Sequence, residues 1–287
     1  MKKHAHLLLA LHAFTVLAST AQATGDALPA AVTLPSHIDR QQASVLDTFN
    51  SDEVPALSVF EPMYLIAGGE YGEDIKAQFQ FSFKYRIFDL QSPMVAGRPW
   101  LENFYLSYTQ TSLWNWSADS LPFEDTSYKP SFFWALTDTA FTDLVAFGYA
   151  HESNGQDAEL SRSTDALFLQ PAWSWTLADR ELVAFPRLLL YLRKGLENPD
   201  ITDYRGYGEL NLRYGSEDGW VMHSQYRYGK AGHHSLQLDF TYPIRTPIAL
   251  RTGGFLFIRY FHGYGESLLT YDEKTGPILR IGLAIVR

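Results

Sequence analysis

Residues 77–88 read AQFQFSFKYRIF, and this stretch limits the possible folds more than any other. Side chains alternate across an extended strand. Ala77, Phe79, Phe81, Phe83, Tyr85 and Ile87 therefore share one face, and Gln78, Gln80, Ser82, Lys84 and Arg86 the other. A soluble sandwich strand with its polar face in water has this pattern. The length and aromatic weight favour lipid on one side and a wet interior on the other. Similar segments lie at 61–68, 102–112, 129–138, 143–153, 163–175, 182–194, 204–215, 219–229, 233–243, 251–264 and 276–286. Turn-forming clusters such as Glu197-Asn198-Pro199-Asp200 and Ser216-Glu217-Asp218-Gly219 separate them. The total of about twelve is even, as a closed bacterial barrel requires, and closure removes the strand edges that lipid does not tolerate. The fold class read from the sequence is all-β, a transmembrane antiparallel β-barrel.

Composition supports this. Aromatic residues make up 15% of the chain, mean hydropathy is −0.16, and no apolar run reaches the length of a membrane helix. There is no cysteine, so stability must come from backbone pairing, packing or bound ions. Residues 1–23 read as a secretory signal peptide: Lys2-Lys3, an apolar stretch from Leu7, then Ala21-Gln22-Ala23. The alternative, a membrane anchor, needs a longer apolar run. Cleavage after Ala23 removes two lysines and no acid, taking the net charge from −9 to −11, which argues against nucleic acid as a partner. Residues 24–51 read as an irregular segment and 52–287 as the barrel. The chain ends on Arg287 rather than on the aromatic residue common at barrel C-termini.

The chemistry is concentrated in Tyr149-Ala150-His151-Glu152-Ser153-Asn154-Gly155 and Ser161-Arg162-Ser163-Thr164-Asp165. Val145, Phe147, Tyr149, His151 and Ser153 share a face whose other members are large and apolar, so it is the expected lipid side. Asp165 shares a face with Leu167 and Leu169 on the next segment. Ionisable groups on a lipid face are costly and are functional candidates by default. A serine nucleophile needs an imidazole to take its proton, and that imidazole needs a third group to fix its tautomer. Ser153, His151 and Asp165 supply these types, with the N–H groups of Ser153 and Gly155 as candidate oxyanion donors. The bland alternative puts His151 and Ser153 at the aqueous rim, and the pair alone is a weak pattern. Gln110 falls on the apolar face of Phe104, Leu106 and Tyr108, where an unpaired amide is costly, so a neighbouring subunit or the aqueous rim would have to satisfy it.

His151-Glu152-Ser153-Asn154-Gly155 with Ser161-Arg162-Ser163 resembles the signature of the outer membrane phospholipase A family. Further segments resemble that family in the same order: Tyr108-Thr109-Gln110, Pro122-Phe123, Tyr128-Lys129-Pro130, Asn198-Pro199-Asp200-Ile201-Thr202 and Gly263-Tyr264-Gly265-Glu266-Ser267-Leu268. The resemblance covers about residues 60–287. It implies a twelve-stranded outer-membrane barrel that hydrolyses phospholipids and lysophospholipids as a calcium-bound homodimer. It also implies Ser153 as nucleophile, His151 as general base and Asp165 as the residue orienting it. Calcium would be held by Ser161, the carbonyl of Gln156 and Ser120 of the partner subunit, and Gln110 would lie in the dimer interface. Three positions depart from the family pattern: Asp165 stands where asparagine is usual, Gln156 where arginine is common, and Ala158 where an acid is found.

The competing reading is a non-catalytic barrel, a pore or structural protein, with Lys84 and Arg86 in its lumen. A soluble sandwich that binds sugar is a third. His223, His233, His234 and His262 lack metal-site spacing, and Gly263-x-Gly265 lacks the helix of a nucleotide loop. Trp114, Trp116, Trp173 and Trp175 read as interfacial girdle residues.

Overall fold

The computed structural model describes residue 49 and residues 55–88, 91–249 and 252–287. The expected signal peptide, and the segment 24–51 apart from Phe49, lie outside the described residues.

Among the described residues, fourteen strand segments form one closed antiparallel wall. In chain order they are β1 Leu57–Val59, β2 Met63–Glu70, β3 Lys76–Arg86, β4 Phe104–Asn115, β5 Phe123–Thr137, β6 Leu144–Ser153 and β7 Ser163–Leu177. Then follow β8 Arg180–Ala184, β9 Arg187–Lys194, β10 Gly208–Gly215, β11 Val221–Tyr228, β12 His234–Ala249, β13 Thr252–Tyr264 and β14 Lys274–Val286. β1 and β2 both pair with β3, so they form one wall strand interrupted at Phe60-Glu61-Pro62. β8 and β9 both lie between β7 and β10 and form one strand interrupted at Phe185-Pro186. Proline has no N–H to give the ladder, which accounts for both breaks. The wall is thus the expected twelve strands. β14 pairs with β2 and β3 with β4, so no edge is left open.

The alternation reads as an inside-out protein. Phe81, Phe83 and Tyr85 on β3, Leu188, Leu190 and Leu192 on β9, and Leu279, Ile281, Leu283 and Ile285 on β14 are exposed on the outer wall. Lys84, Arg213, Arg259 and Arg280 are buried in the lumen. Each has an anchor there. Arg259 forms a bidentate pair with Asp239 at 2.7 Å through Nε and Nη2, and its Nη1 donates to Tyr64 and Gln78. Arg280 pairs with Glu266, and Arg213 pairs with Glu217 and Glu181. Lys84 donates to the Val59 carbonyl at 2.7 Å and lies over the Phe49 ring. This lysine is therefore already occupied, unlike the pore-lining cation of the competing reading. The remaining lumen is a cavity of about 380 Å³ crossed by ion pairs.

Two expected segments start at other residues, and the one expected at 233–243 runs on to Ala249. The strand expected at 129–138 begins at Phe123, because Pro130 is accommodated inside β5. The strand expected at 204–215 begins at Gly208, because Ile201–Arg205 forms a short helix. That helix ends at Gly206, whose φ of 68° and whose approach to the Tyr228 carbonyl exclude a side chain. The indoles of Trp114, Trp134 and Trp173 each donate to a loop carbonyl, those of Leu121, Trp100 and Phe141 respectively. These tryptophans lie near both rims, as girdle residues do.

Removing Asp239 leaves Arg259 charged and unpaired in the lumen. Asp239→Ala is expected to destabilise the barrel by about 3–5 kcal/mol, read as a lower urea midpoint in detergent. An unchanged midpoint would show that the pair does not anchor the lumen.

Candidate active site

Adjacent strands β6 and β7 carry the site. Their register sets Tyr149 opposite Leu167, His151 opposite Asp165 and Ser153 opposite Ser163. The intervening residues Ala150, Glu152, Ala166 and Thr164 face inward, so His151, Ser153 and Asp165 face outward as expected. His151 Nδ1 lies 2.8 Å from Asp165 Oδ1, and Tyr149 donates its phenol to the same oxygen at 2.5 Å. Ser153 is two residues further along the same face. Among the described residues no hydrogen bond joins its Oγ to the imidazole. Such bonds are often long in unliganded enzymes and tighten with substrate.

Pro130 stands opposite His151, and the β5–β6 ladder is interrupted there between Tyr128–Ser153 and Ser131–Ala150. Beyond Ser153 the chain turns at Gly155. Its φ is 67°, and an added Cβ would lie 3.0 Å from the Tyr128 ring, so glycine is required. The Gly155 N–H donates to no protein acceptor among the described residues, which leaves it available at the end of the row of His151 and Ser153.

The loop that follows is held by Asn154, which is almost fully buried. Its amide donates to the Leu160 carbonyl at 2.8 Å, and its Oδ1 accepts from the N–H groups of Gln156 and Arg162. Asn198 does the same for the start of β7, accepting from Ser163 N–H at 3.1 Å and donating to Ser163 O at 2.9 Å. Behind the row, Glu152 accepts from Ser127 at 2.9 Å and pairs with Arg205 at 3.2 Å. Burial disfavours the charged Arg205 guanidinium, but the Glu152 carboxylate outweighs this and holds its pKa above the ordinary arginine value. Arg205 also donates to Ser267 O. Asn198 and Arg205 thus lie in or beside one distant sequence motif and Ser267 in another, and all three support the wall behind or beside the catalytic strand.

His151, Ser153, Asp165 and Gly155 are candidates from the sequence, whereas the supporting roles of Asn154, Glu152, Arg205, Asn198 and Tyr149 emerge only from the structure. The available signal was parity: a carboxylate between two outward residues must point into the lumen and needs a cation there.

Gln110 lies in the same cross-strand row as Ser153: Phe81, Gln110, Tyr128, Ser153 and Ser163 are successive register partners. Two strand spacings put it about 10 Å from Ser153 along the wall. Its Oε1 accepts from Tyr108 at 3.0 Å and its amide donates to Ser112. The amide therefore already has partners within its own chain.

Ser161 and Gln156 lie in the loop braced by Asn154, and Ser120 lies in the β4–β5 loop at the same end of the barrel. Among the described residues no group of three or more His, Asp or Glu could hold a metal. Ser161 Oγ and the Gln156 carbonyl make no protein hydrogen bond among the described residues. These are hard oxygen donors of the kind calcium takes, yet two fall short of its usual six to eight ligands. The donor set fits calcium only if water and a second chain complete it.

The sequence matches the phospholipase A1 family over residues 51–286. The chain belongs to the phospholipase A1 family. A relative from Neisseria meningitidis serogroup B is 32% identical over 227 residues, which are 73% of this chain and 55% of that protein. The chain spans only 55–60% of the length of the first curated relatives it matches. The structure of outer membrane phospholipase A from Escherichia coli aligns with a TM-score of 0.65 and 25% identity, covering 80% of this chain and 94% of that one. That of the Salmonella typhi outer membrane phospholipase dimer with bound calcium aligns with a TM-score of 0.67. It covers 85% of this chain and 96% of that one, at 23% identity, and the likeness is one of fold.

Asn154→Ala removes three loop hydrogen bonds worth about 1 kcal/mol each. The barrel should fold normally, and ester hydrolysis should fall by at least about tenfold as the loop loosens. Full activity would show that the loop needs no brace.

Proposed function

We propose that this protein hydrolyses the acyl esters of phospholipids and lysophospholipids from the outer wall of a barrel in the bacterial outer membrane. It reaches that membrane after export on the signal peptide 1–23, and works as a calcium-dependent homodimer. One observation carries the reading: a carboxylate–imidazole pair at 2.8 Å, with a serine beside it, on a face otherwise made for lipid. Polar groups there serve neither folding nor the lumen.

The roles follow from the geometry. Asp165 accepts a proton-bearing Nδ1 and so fixes the tautomer that leaves Nε2 free as the base. Ser153 Oγ attacks the acyl carbonyl as its proton passes to His151 Nε2. The Gly155 N–H donates to the carbonyl oxygen as it gains charge. The proton on His151 then goes to the departing lipid hydroxyl, leaving an acyl group on Ser153. Water, deprotonated by His151, releases the fatty acid and restores the serine. Calcium, held by Ser161, the Gln156 carbonyl and Ser120 of the partner subunit, would add positive charge near the developing oxyanion. Gln110, in the same row as Ser153, would bring the partner's wall beside the nucleophile. Substrate reaches such a site sideways, from the membrane itself.

Fatty-acid release from phosphatidylcholine–detergent micelles by the refolded chain tests this. Release should require calcium, stop on chelation, and fall by at least about 10³-fold in Ser153→Ala. A folded, calcium-loaded dimer that releases nothing would return the weight to a barrel without chemistry.

A further inference from the structure

The inference concerns the Asp165 carboxylate and rests on the catalytic reading above. A fixed negative charge on a lipid-facing wall is costly unless it is compensated. Tyr149 and His151 both bind one oxygen, Oδ1. The other, Oδ2, accepts no hydrogen bond among the described residues.

The neighbouring strand β9 contains an irregularity at this level. Up to Leu192 it alternates regularly: Leu188, Leu190 and Leu192 are exposed, while Leu189 packs on the lumen cluster. Continued without interruption, that period would send Arg193 into the lumen. Instead the β7–β9 register shifts by one residue between Asp165 and Ala166. Ala166 pairs with Tyr191, and Asp165 pairs with Arg193, leaving Leu192 as the extra residue of a bulge. Bulges re-aim side chains and are frequent next to active sites. Directly paired residues project from the same face, so Arg193 is turned outward beside Asp165, and its side chain is exposed.

We propose that Arg193 is a positioning residue, the counter-ion that the β9 bulge delivers to the open oxygen of Asp165 so that the carboxylate stays aimed at His151. Guanidinium suits the task, because its planar fork is preorganised for carboxylate and is less strongly hydrated than an ammonium. The groups facing Asp165 from the strands packed on it are Tyr149 and His151 on β6 and Arg193 on β9; the next residue, Lys194, pairs with the inward-facing Thr164. Lys194 is committed to the Pro199 carbonyl. An asparagine at position 165 would need no such partner. In this account the arginine and the aspartate form a matched pair.

A double-mutant cycle on the full mature chain, refolded in detergent with calcium, tests the proposal. Arg193→Gln should lower kcat on phosphatidylcholine micelles about tenfold, with KM changed less than about twofold. Arg193→Lys should recover most of the loss. In an Asp165→Asn background, Arg193→Gln should change kcat by less than about twofold. The urea midpoint should follow the same pattern, falling for Arg193→Gln beside Asp165 and not beside asparagine. Equal losses in both backgrounds, no loss in either, or a rise in KM alone, as for an arginine that holds the lipid phosphate, would overturn the proposal. Wild-type protein without Ser153-dependent release would sink the catalytic reading instead, and the midpoints would still decide whether the charges are paired.

Discussion

Everything in this barrel depends on the two-residue period of a closed backbone ladder. Because the wall closes on itself through antiparallel ladders, a side chain on it has two destinations, lipid or lumen. A slip of one residue would exchange them all. On β6 the period gives His151 and Ser153 to the lipid side and Glu152 to the lumen. One short stretch of strand therefore carries the reactive groups outward and their anchor inward. The Glu152–Arg205 pair at 3.2 Å ties the back of the site to the short helix at the loop end. Strain or motion there would pass directly to the residues on either side of Glu152.

The lumen is thus a support for the outer face. Arg259 with Asp239 on the neighbouring strand, and Arg280 with Glu266 in the adjoining loop, line it as ion pairs that break only at a large desolvation cost. Asn154 and Asn198 do comparable work at the rim, where strands end and backbone groups would otherwise be unpaired. The segments around Asn198 and Ser267 lie far from Ser153 in sequence. Their role is to hold the rim behind β6. Tyr271 belongs to the same rim: burial, then its hydrogen bond to Asp200 at 2.5 Å, holds its phenol above the usual tyrosine pKa. Its ring lies under the Arg162 guanidinium of the β6–β7 loop.

Much of this was legible in the chain because alternation is a strong signal over ten residues. The outward placement of His151, Ser153 and Asp165 followed from parity alone, with Val145, Phe147, Leu167 and Leu169 as markers of the lipid side. The helix at Ile201–Arg205 was not legible, since five residues carry no period. Nor was the β9 bulge, which inserts one residue without changing composition and reverses the facing of Arg193. The lumen partners of Arg259 on distant strands, Tyr64 and Gln78, also escaped, because no local pattern connects residues so far apart in sequence. Gln110 was rightly placed on the outer face. Its amide bonds to Tyr108 and Ser112 could not be foreseen, because they depend on rotamers.

The proposed dimer fits the site's own economy of ligands. A single chain offers Ser161 Oγ and the Gln156 carbonyl, and calcium needs more. The central claim is that the reactive row faces lipid, so the enzyme samples substrate in the membrane plane. The most direct measurement is the Ser153-dependent rate in mixed micelles at fixed bulk phospholipid, as added detergent lowers its mole fraction in the micelle surface. The account predicts a rate that falls with that mole fraction while calcium, protein folding and dimer content stay constant. A rate that follows bulk concentration and ignores surface dilution would contradict a site on the outer wall.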